Sequence, residues 1–369
     1  MFKSLLLASA AAAFSLAAAP AGIANGLSFT TINTMNTPSL SSNFGRGVFV
    51  DGNTIYFATS GGGLNISTDG GLNWTRTNSV TPPTPGLNSN TTYFPYAVGS
   101  SVYLATQGGL GISADGGSSW VNRDNSSGLG SSAVNGVYVI GSTVYAATGG
   151  GISISSNGGT SFTNYNTTNS GLASNSANMV YVDGGRIYAA TQGGLSISSN
   201  GGSSFTNFTA SSGLADDKVK DVFASGNTIY AATEGGLSIS TNAGASWTNY
   251  NQASGLGANF VRGITVNDGT IYAATNGGGL SLSSNGGSTW TTYTTANGLG
   301  SDTLRKPFIT ANTIYVPTAG AGLSISSLPN PNPVPAPLPI VGSAVALSAC
   351  RSLRSQSQRL RHAAGRRLA

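Results

Sequence analysis

The chain has 369 residues, of which 53 are glycine, 7% are charged and 39% are hydrophobic, with one cysteine (Cys350), one histidine (His362) and a formal net charge of +5. A single cysteine excludes an intrachain disulfide, and a single histidine in the C-terminal tail excludes histidine catalysis and a His or Cys metal site, so no cofactor and no metal are expected. The positive charge is no argument for nucleic acid: Lys3 and six arginines beyond residue 350 lie outside the body, which leaves 9 basic residues there against all 11 acidic ones.

Residues 1–24 carry Lys3, an apolar run over 5–19 and then small residues, with cleavage expected after Ala21 or Ala24. That is the pattern of a secretory signal peptide, so export to the cell envelope or the extracellular space is expected. The body, residues 25–328, begins with GLSFTTINTMNTPSL from Gly26. It then repeats one phrase seven times, from TIYFATSGGGLNIS at Thr54 through RIYAATQGGLSIS at Arg186 to TIYVPTAGAGLSIS at Thr313. Six copies continue into a second phrase: STDGGLNW from Ser67, SADGGSSW from Ser113, SSNGGTSF from Ser155, SSNGGSSF from Ser198, STNAGASW from Ser240 and SSNGGSTW from Ser283. Their first serines lie 46, 42, 43, 42 and 43 residues apart.

Within the copy from Val134, VNGVYVIG, STVYAATGG, GISISSNGG and TSFTNYNTT read as four short strands separated by Gly, Asn and Ser turns. Four strands in a period of about 40–45 residues mark a propeller blade. The predicted fold is all-β: a seven-bladed β-propeller of four-stranded antiparallel blades, with helix nearly excluded. The seventh copy lacks its fourth strand, because alternation stops after Ser326. Phe29 aligns with Trp74, Trp120, Phe162, Phe205, Trp247 and Trp290, so the N-terminal segment is predicted to supply that strand, close the ring and cover an open edge.

Residues 329–337 form a Pro-rich linker, and 338–369 combine an apolar segment with a tail holding Arg351, Arg354, Arg359, Arg361, Arg366 and Arg367. This order reads as a membrane anchor with a cytoplasmic basic end, or as a sorting signal, although the apolar run is shorter than the roughly 20 residues of a full span.

Three resemblances follow from these residues. STDGGLNW and SADGGSSW resemble the Asp-box of bacterial sialidases, sortilin-type receptors and photosynthetic assembly factors. Asp69 and Asp115 keep its aspartate, while Asn157, Asn200, Asn242 and Asn285 replace it. In those families the box staples a hairpin on the outer rim, which implies a structural role here. The remainder of each repeat, as in GLASNSANMVYVDGGRIYAATQGGLSIS from Gly171, resembles the periplasmic propeller repeats of two-component sensors, but no kinase segment follows it. VPAPLP, IVGSAVALSAC and the arginine cluster resemble PEP-CTERM sorting signals, with Ala336 where those have glutamate. That resemblance implies an exosortase-type protease as a partner that removes the tail.

Chemistry is sparse. A sialidase-like mechanism needs an arginine cluster, a tyrosine paired with a glutamate, and an acidic aspartate. The one glutamate, Glu234, falls at a repeat position shared with Ser60, Gln107, Gly149, Gln192 and Asn276, and reads as a loop variant. Asp216 and Asp217 beside Lys218 and Lys220 read as a solvated loop, since they lack the oxygen-ligand spacing of calcium loops. Alignment on the IY or VY pair is more informative. The residue entering each innermost strand is Arg46, Tyr93, Asn135, Asn178, Lys220, Arg262 and Arg305, so ring closure predicts four consecutive cations in one arc at a channel mouth. These seven are the candidate ligand-binding residues, for an anionic or polyhydroxyl ligand such as an acidic glycan, and the other reading of them is a set of solvated rim charges. The chain is expected to be a binding or display module rather than an enzyme, with an unknown protein or glycan as its ligand. A glycan-active enzyme and a scaffolding factor for a membrane complex are the alternatives.

Overall fold

The computed structural model describes residues 26–78 and 86–328; the predicted signal peptide, linker and C-terminal segment lie outside the described residues. Seven four-stranded antiparallel sheets succeed one another, and in six of them the strand order in space is the order in sequence. The innermost strands of blades one to six are Gly45–Asp51, Thr92–Val98, Val134–Ile140, Ala177–Asp183, Val219–Ser225 and Val261–Asn267. Blade seven has only Phe308–Ile309 there: Pro307 just before it has no N–H for the ladder, and Pro317 lies further along the partner strand at the same end.

The ring closes as the alignment predicts. Thr30–Ile32 pairs with Gly322–Ser327 as the outermost strand of blade seven, in the register Thr30↔Ile325, Thr31↔Ser324 and Ile32↔Leu323. Phe29 is buried edge-on against Tyr293, and its N–H donates to Asn297 O at 3.1 Å, as Phe162 N–H does to Ser127 O at 2.9 Å in blade three. Helix is confined to four single-turn 3-10 segments among the described residues, such as Gln252–Ser254, where outer strands lead into the next blade.

Every buried apolar cluster straddles a seam between neighbouring blades. Tyr188, Leu195 and Met179 of blade four, for example, pack on Val219, Val222 and Ile229 of blade five. Both faces of each sheet therefore leave water, which is why the strands carry near-continuous apolar residues and why a single blade has no stability of its own.

The Ser-x-Asp hairpins show how the outer turns hold. Asp69 accepts from Leu72 N (3.1 Å), Asn73 N (2.9 Å) and the Asn73 side chain (2.8 Å), and the Ser67 hydroxyl donates to it at 2.8 Å. Trp74 Nε1 donates to Gly71 O at 3.0 Å, so the turn also seats the aromatic ring. Asn157 reproduces the acceptor, taking Thr160 N and Ser161 N at 3.1 Å each, without the charge. These bonds to the ionised form hold Asp69 at about 2, led by the Asn73 N–H, and Asp115 at about 2, led by the Ser119 hydroxyl.

A pH dependence follows. A carboxylate whose folded pKa is depressed contributes stability that is present above its unfolded value, near 3.8, and is lost as pH falls through about 2. Melting temperature should therefore fall across that window, and fall less in an Asp69→Asn/Asp115→Asn double variant, which carries the turn chemistry of the other blades. Parallel acid slopes for the two proteins would refute the assignment.

Candidate functional site: a cationic cup at the channel mouth

The residues singled out by alignment share one backbone device. Strand pairing shifts register between Gly45 and Gly47, Val134 and Gly136, Ala177 and Met179, Val219 and Asp221, and Val261 and Gly263, so Arg46, Asn135, Asn178, Lys220 and Arg262 are the extra residues of β-bulges. Tyr93 falls in a wider irregularity between Thr92 and Pro95. A bulge turns its side chain out of the alternating pattern, and here all of them turn at the same end of the innermost strands. Arg305 follows the Leu304 to Thr318 bridge in blade seven. All seven line one cavity of about 250 Å³.

A second ring of residues supports the first. In each blade the residue 14 positions further on stands beside the bulge residue, fixed by the same backbone hydrogen bond: Ser60 N to Phe44 O, Gln107 N to Thr91 O, Gly149 N to Ala133 O, Gln192 N to Ser176 O, Glu234 N to Lys218 O, Asn276 N to Phe260 O and Ala319 N to Thr303 O. Four of these neighbours bond their partner directly. Ser60 Oγ accepts from Arg46 at 3.4 Å, Gln192 Nε2 donates to Asn178 Oδ1 at 3.1 Å, Glu234 pairs with Lys220 at 2.8 Å, and Asn276 Oδ1 accepts from Arg262 Nε at 2.9 Å. Blade seven has Ala319 at this position, which has nothing to offer Arg305. The buried Nε of Arg305 has no hydrogen-bond partner among the described residues.

The next residue along each inner strand forms the floor, where Phe94, Met179, Asp221 and Lys306 line the cavity. Gly47, Gly136 and Gly263 fill the corresponding places in their own blades, and a Cβ on them would collide with Tyr93 O, Met179 Sδ and Lys306 Cα respectively. Asp221 is 2% exposed and ties three blades together. Its Oδ1 pairs with Lys306 of blade seven at 2.9 Å, and its Oδ2 accepts from Ile264 N of blade six at 2.9 Å. Deeper in the channel, Phe308, Phe49, Tyr96, Tyr138, Tyr181 and Phe223 form a belt with successive ring centroids 4.8, 4.9, 5.2, 5.0 and 5.2 Å apart. Burial pushes the Tyr96 hydroxyl up to about 12, so these phenols are neutral packing groups.

Five cations line the cavity, and only two have carboxylates: Lys220 with Glu234, which Lys218 also pairs at 3.1 Å, and Lys306 with Asp221. Arg46, Arg262 and Arg305 have no carboxylate in salt-bridge contact among the described residues, although the charge of Glu234 is felt at Arg262. Burial, with the like charges of Arg262 and Arg46 adding to it, lowers Arg305 to about 10, and the same two causes, burial first and then Arg46, lower Arg262. The rings beneath are also engaged: Arg262 lies 4.4 Å over Phe260 and Arg46 lies 5.6 Å over Tyr93.

The structure thus brings the seven candidates together but gives them unequal work. Asn135 Nδ2 donates to Ala177 O at 2.8 Å and Asn178 Nδ2 to Val219 O at 2.6 Å, so these two brace neighbouring blades. Glu234, read from sequence as a loop variant, is the counter-ion of Lys220. Asp217 caps Ala210 N at 2.7 Å and Asp216 caps Lys218 N at 2.8 Å, which makes them turn residues rather than merely solvated ones. Asp221 and Lys306 escaped sequence reading because they sit in an inner-strand position where other blades have Gly or apolar residues; that departure from the repeat is the signal that marks them.

Known proteins share this architecture. Residues 168–313, less than half of the chain, match the family model described as the DUF6242 beta propeller domain. Among solved structures, the extracellular domain of a putative hybrid two component system from B. thetaiotaomicron is 19% identical, with a TM-score of 0.70 over 82% of this chain and 42% of that one. YCF48 bound to D1 peptide is 16% identical, with a TM-score of 0.62 over 84% of this chain and 99% of that one, and the GH74 enzyme of Niastella koreensis is 21% identical, with a TM-score of 0.56 over 78% and 43%. This chain spans about two fifths of the sensor domain's length. No curated protein matches. At these identities the likeness is one of fold, and the fold is a seven-bladed propeller.

Proposed function

We propose that this is an exported, non-catalytic propeller acting as a binding or display module, and that its ligand presents an anionic group to Arg46, Arg262 and Arg305. The observation that carries this is Arg305: a half-buried side chain facing two other arginines, its buried Nε without an acceptor among the described residues, on a floor whose remaining charges are already paired. A partly buried charge without a counter-ion is unfavourable, and an anion in the cup relieves it. Arginine also matches a carboxylate, phosphate or sulfate through paired N–H donors. The similarity to extracellular sensor domains supports export.

A glycan-active enzyme is less well supported. Asp221 is buried and fully engaged, Glu234 is held ionised by Lys220 and Lys218, and Tyr93 faces Arg46 rather than a glutamate. A scaffolding role draws on the fold shared with YCF48, whose structure holds a D1 peptide. Tethering or exosortase-type cleavage at the C-terminus remains part of the proposal; mass spectrometry finding residues 351–369 intact in the mature protein would remove the cleavage step.

Titration calorimetry with uronic acids and with the matching neutral sugars tests the ligand class. Binding confined to the acids and weakening as salt rises is expected. Equal binding of acid and neutral forms, or of neither, overturns the proposal.

A further inference from the structure

Resting on that reading, we infer that the cup receives the end of an acidic saccharide chain, with the terminal sugar's carboxylate on the three arginines and the second sugar stacked on Phe44. The Lys306–Asp221 pair crosses the floor of the cup from blade seven to blade five at 2.9 Å, with Phe94 and Met179 lining the floor beside it and the aromatic belt below. That ion pair obstructs the way through, so a chain end, which needs no passage beyond the floor, is what reaches Arg305. The cavity of about 250 Å³ falls below the roughly 300–1,000 Å³ of pockets for drug-sized ligands, which suits a single sugar unit.

Phe44 provides for what stays outside. It precedes Arg46 by two residues and forms a bridge with Ala319, so it lies on the seam between blades one and seven, the two that supply Arg46 and Arg305. A Cβ on Gly320 would lie 3.6 Å from Cε1 of its ring, so the ring rests on the 319–320 turn at the rim. Phe260 occupies the same repeat position in blade six, but Arg262 and Lys220 cover its face at 4.4 and 5.6 Å. Phe44 is 59% exposed, and no ring or cation stacks on it among the described residues. A flat apolar ring beside a cluster of arginines complements a pyranose face linked to an acid.

The test compares a uronic acid, its disaccharide with the acid at the terminal unit, and a longer oligomer with acids only at interior units, each against wild type and Phe44→Ala. Wild type should bind the terminal-acid disaccharide about three- to tenfold more tightly than the monosaccharide. Phe44→Ala should lose that gain while binding the monosaccharide as wild type does, and the interior-acid oligomer should bind more weakly than either. Monosaccharide binding with no gain for the disaccharide, an unaffected Phe44→Ala, or tight binding of the interior-acid oligomer overturns the end-on inference and leaves the anion site standing. No binding of any acid overturns both. Stronger binding of a peptide bearing only a free C-terminal carboxylate assigns the cup to a peptide end instead.

Discussion

Asp221→Ala is expected to lower the melting temperature by roughly 5–15 °C, from a loss of about 3–5 kcal/mol. The carboxylate is 2% exposed and receives Val222 N, Ile264 N and Lys306 Nζ, each at 2.9 Å. Its removal leaves two buried N–H groups and an ammonium that is 18% exposed without their acceptor. The three donors come from blades five, six and seven, so the loss acts on the ring rather than on one sheet. Asp221→Asn should cost less, since an amide oxygen still serves Ile264 N. Combining Asp221→Leu with Lys306→Met should recover only part of the stability, because an apolar pair leaves no stranded charge but Val222 N and Ile264 N still lack their acceptor. Thermal unfolding by circular dichroism measures all of these, and an Asp221→Ala protein melting within about 2 °C of wild type would remove the carboxylate's structural role.

Ala319→Glu is expected to reduce affinity for uronic acids by at least about tenfold, the scale of a charge-assisted hydrogen bond lost from the ligand. The substitution gives blade seven what blade five already has, an acidic residue 14 positions after the bulge cation, as Glu234 stands to Lys220 at 2.8 Å. An internal carboxylate on Arg305 then competes with the ligand and should hold or raise the melting temperature. Ala319→Gln controls for side-chain volume and should bind nearly as wild type does. An Arg262→Ala/Arg305→Ala double variant should show no measurable binding on a glycan array or by calorimetry. If Ala319→Glu binds acids as wild type does, Arg305 is not the anchor.

Much of this was legible because repetition makes a sequence its own alignment. Phe29 in line with Trp74 and Trp290 was enough to place the closing strand. The common position of Arg46, Lys220, Arg262 and Arg305 was enough to put four cations at one end of the ring. The same alignment could not say which of them were neutralised. Glu234 looked like a tolerated variant of a loop position, and its pairing with Lys220 depends on a hairpin fold-back within the blade. Nothing in the sequence marks Phe44, since exposure is decided by the neighbouring blade.

What the sequence determined by itself was the number of blades, their strand pattern, the closure of the ring and the angular place of each bulge residue, because these depend on alternation and turn chemistry repeated along the chain. What only the tertiary structure decided was the charge state of the cup. Asp221 meets Lys306 from 85 positions away, and Arg305 Nε meets no acceptor among the described residues beside Ala319. Both outcomes depend on side chains converging across a channel, where burial strengthens electrostatic interactions and separation along the chain no longer predicts distance.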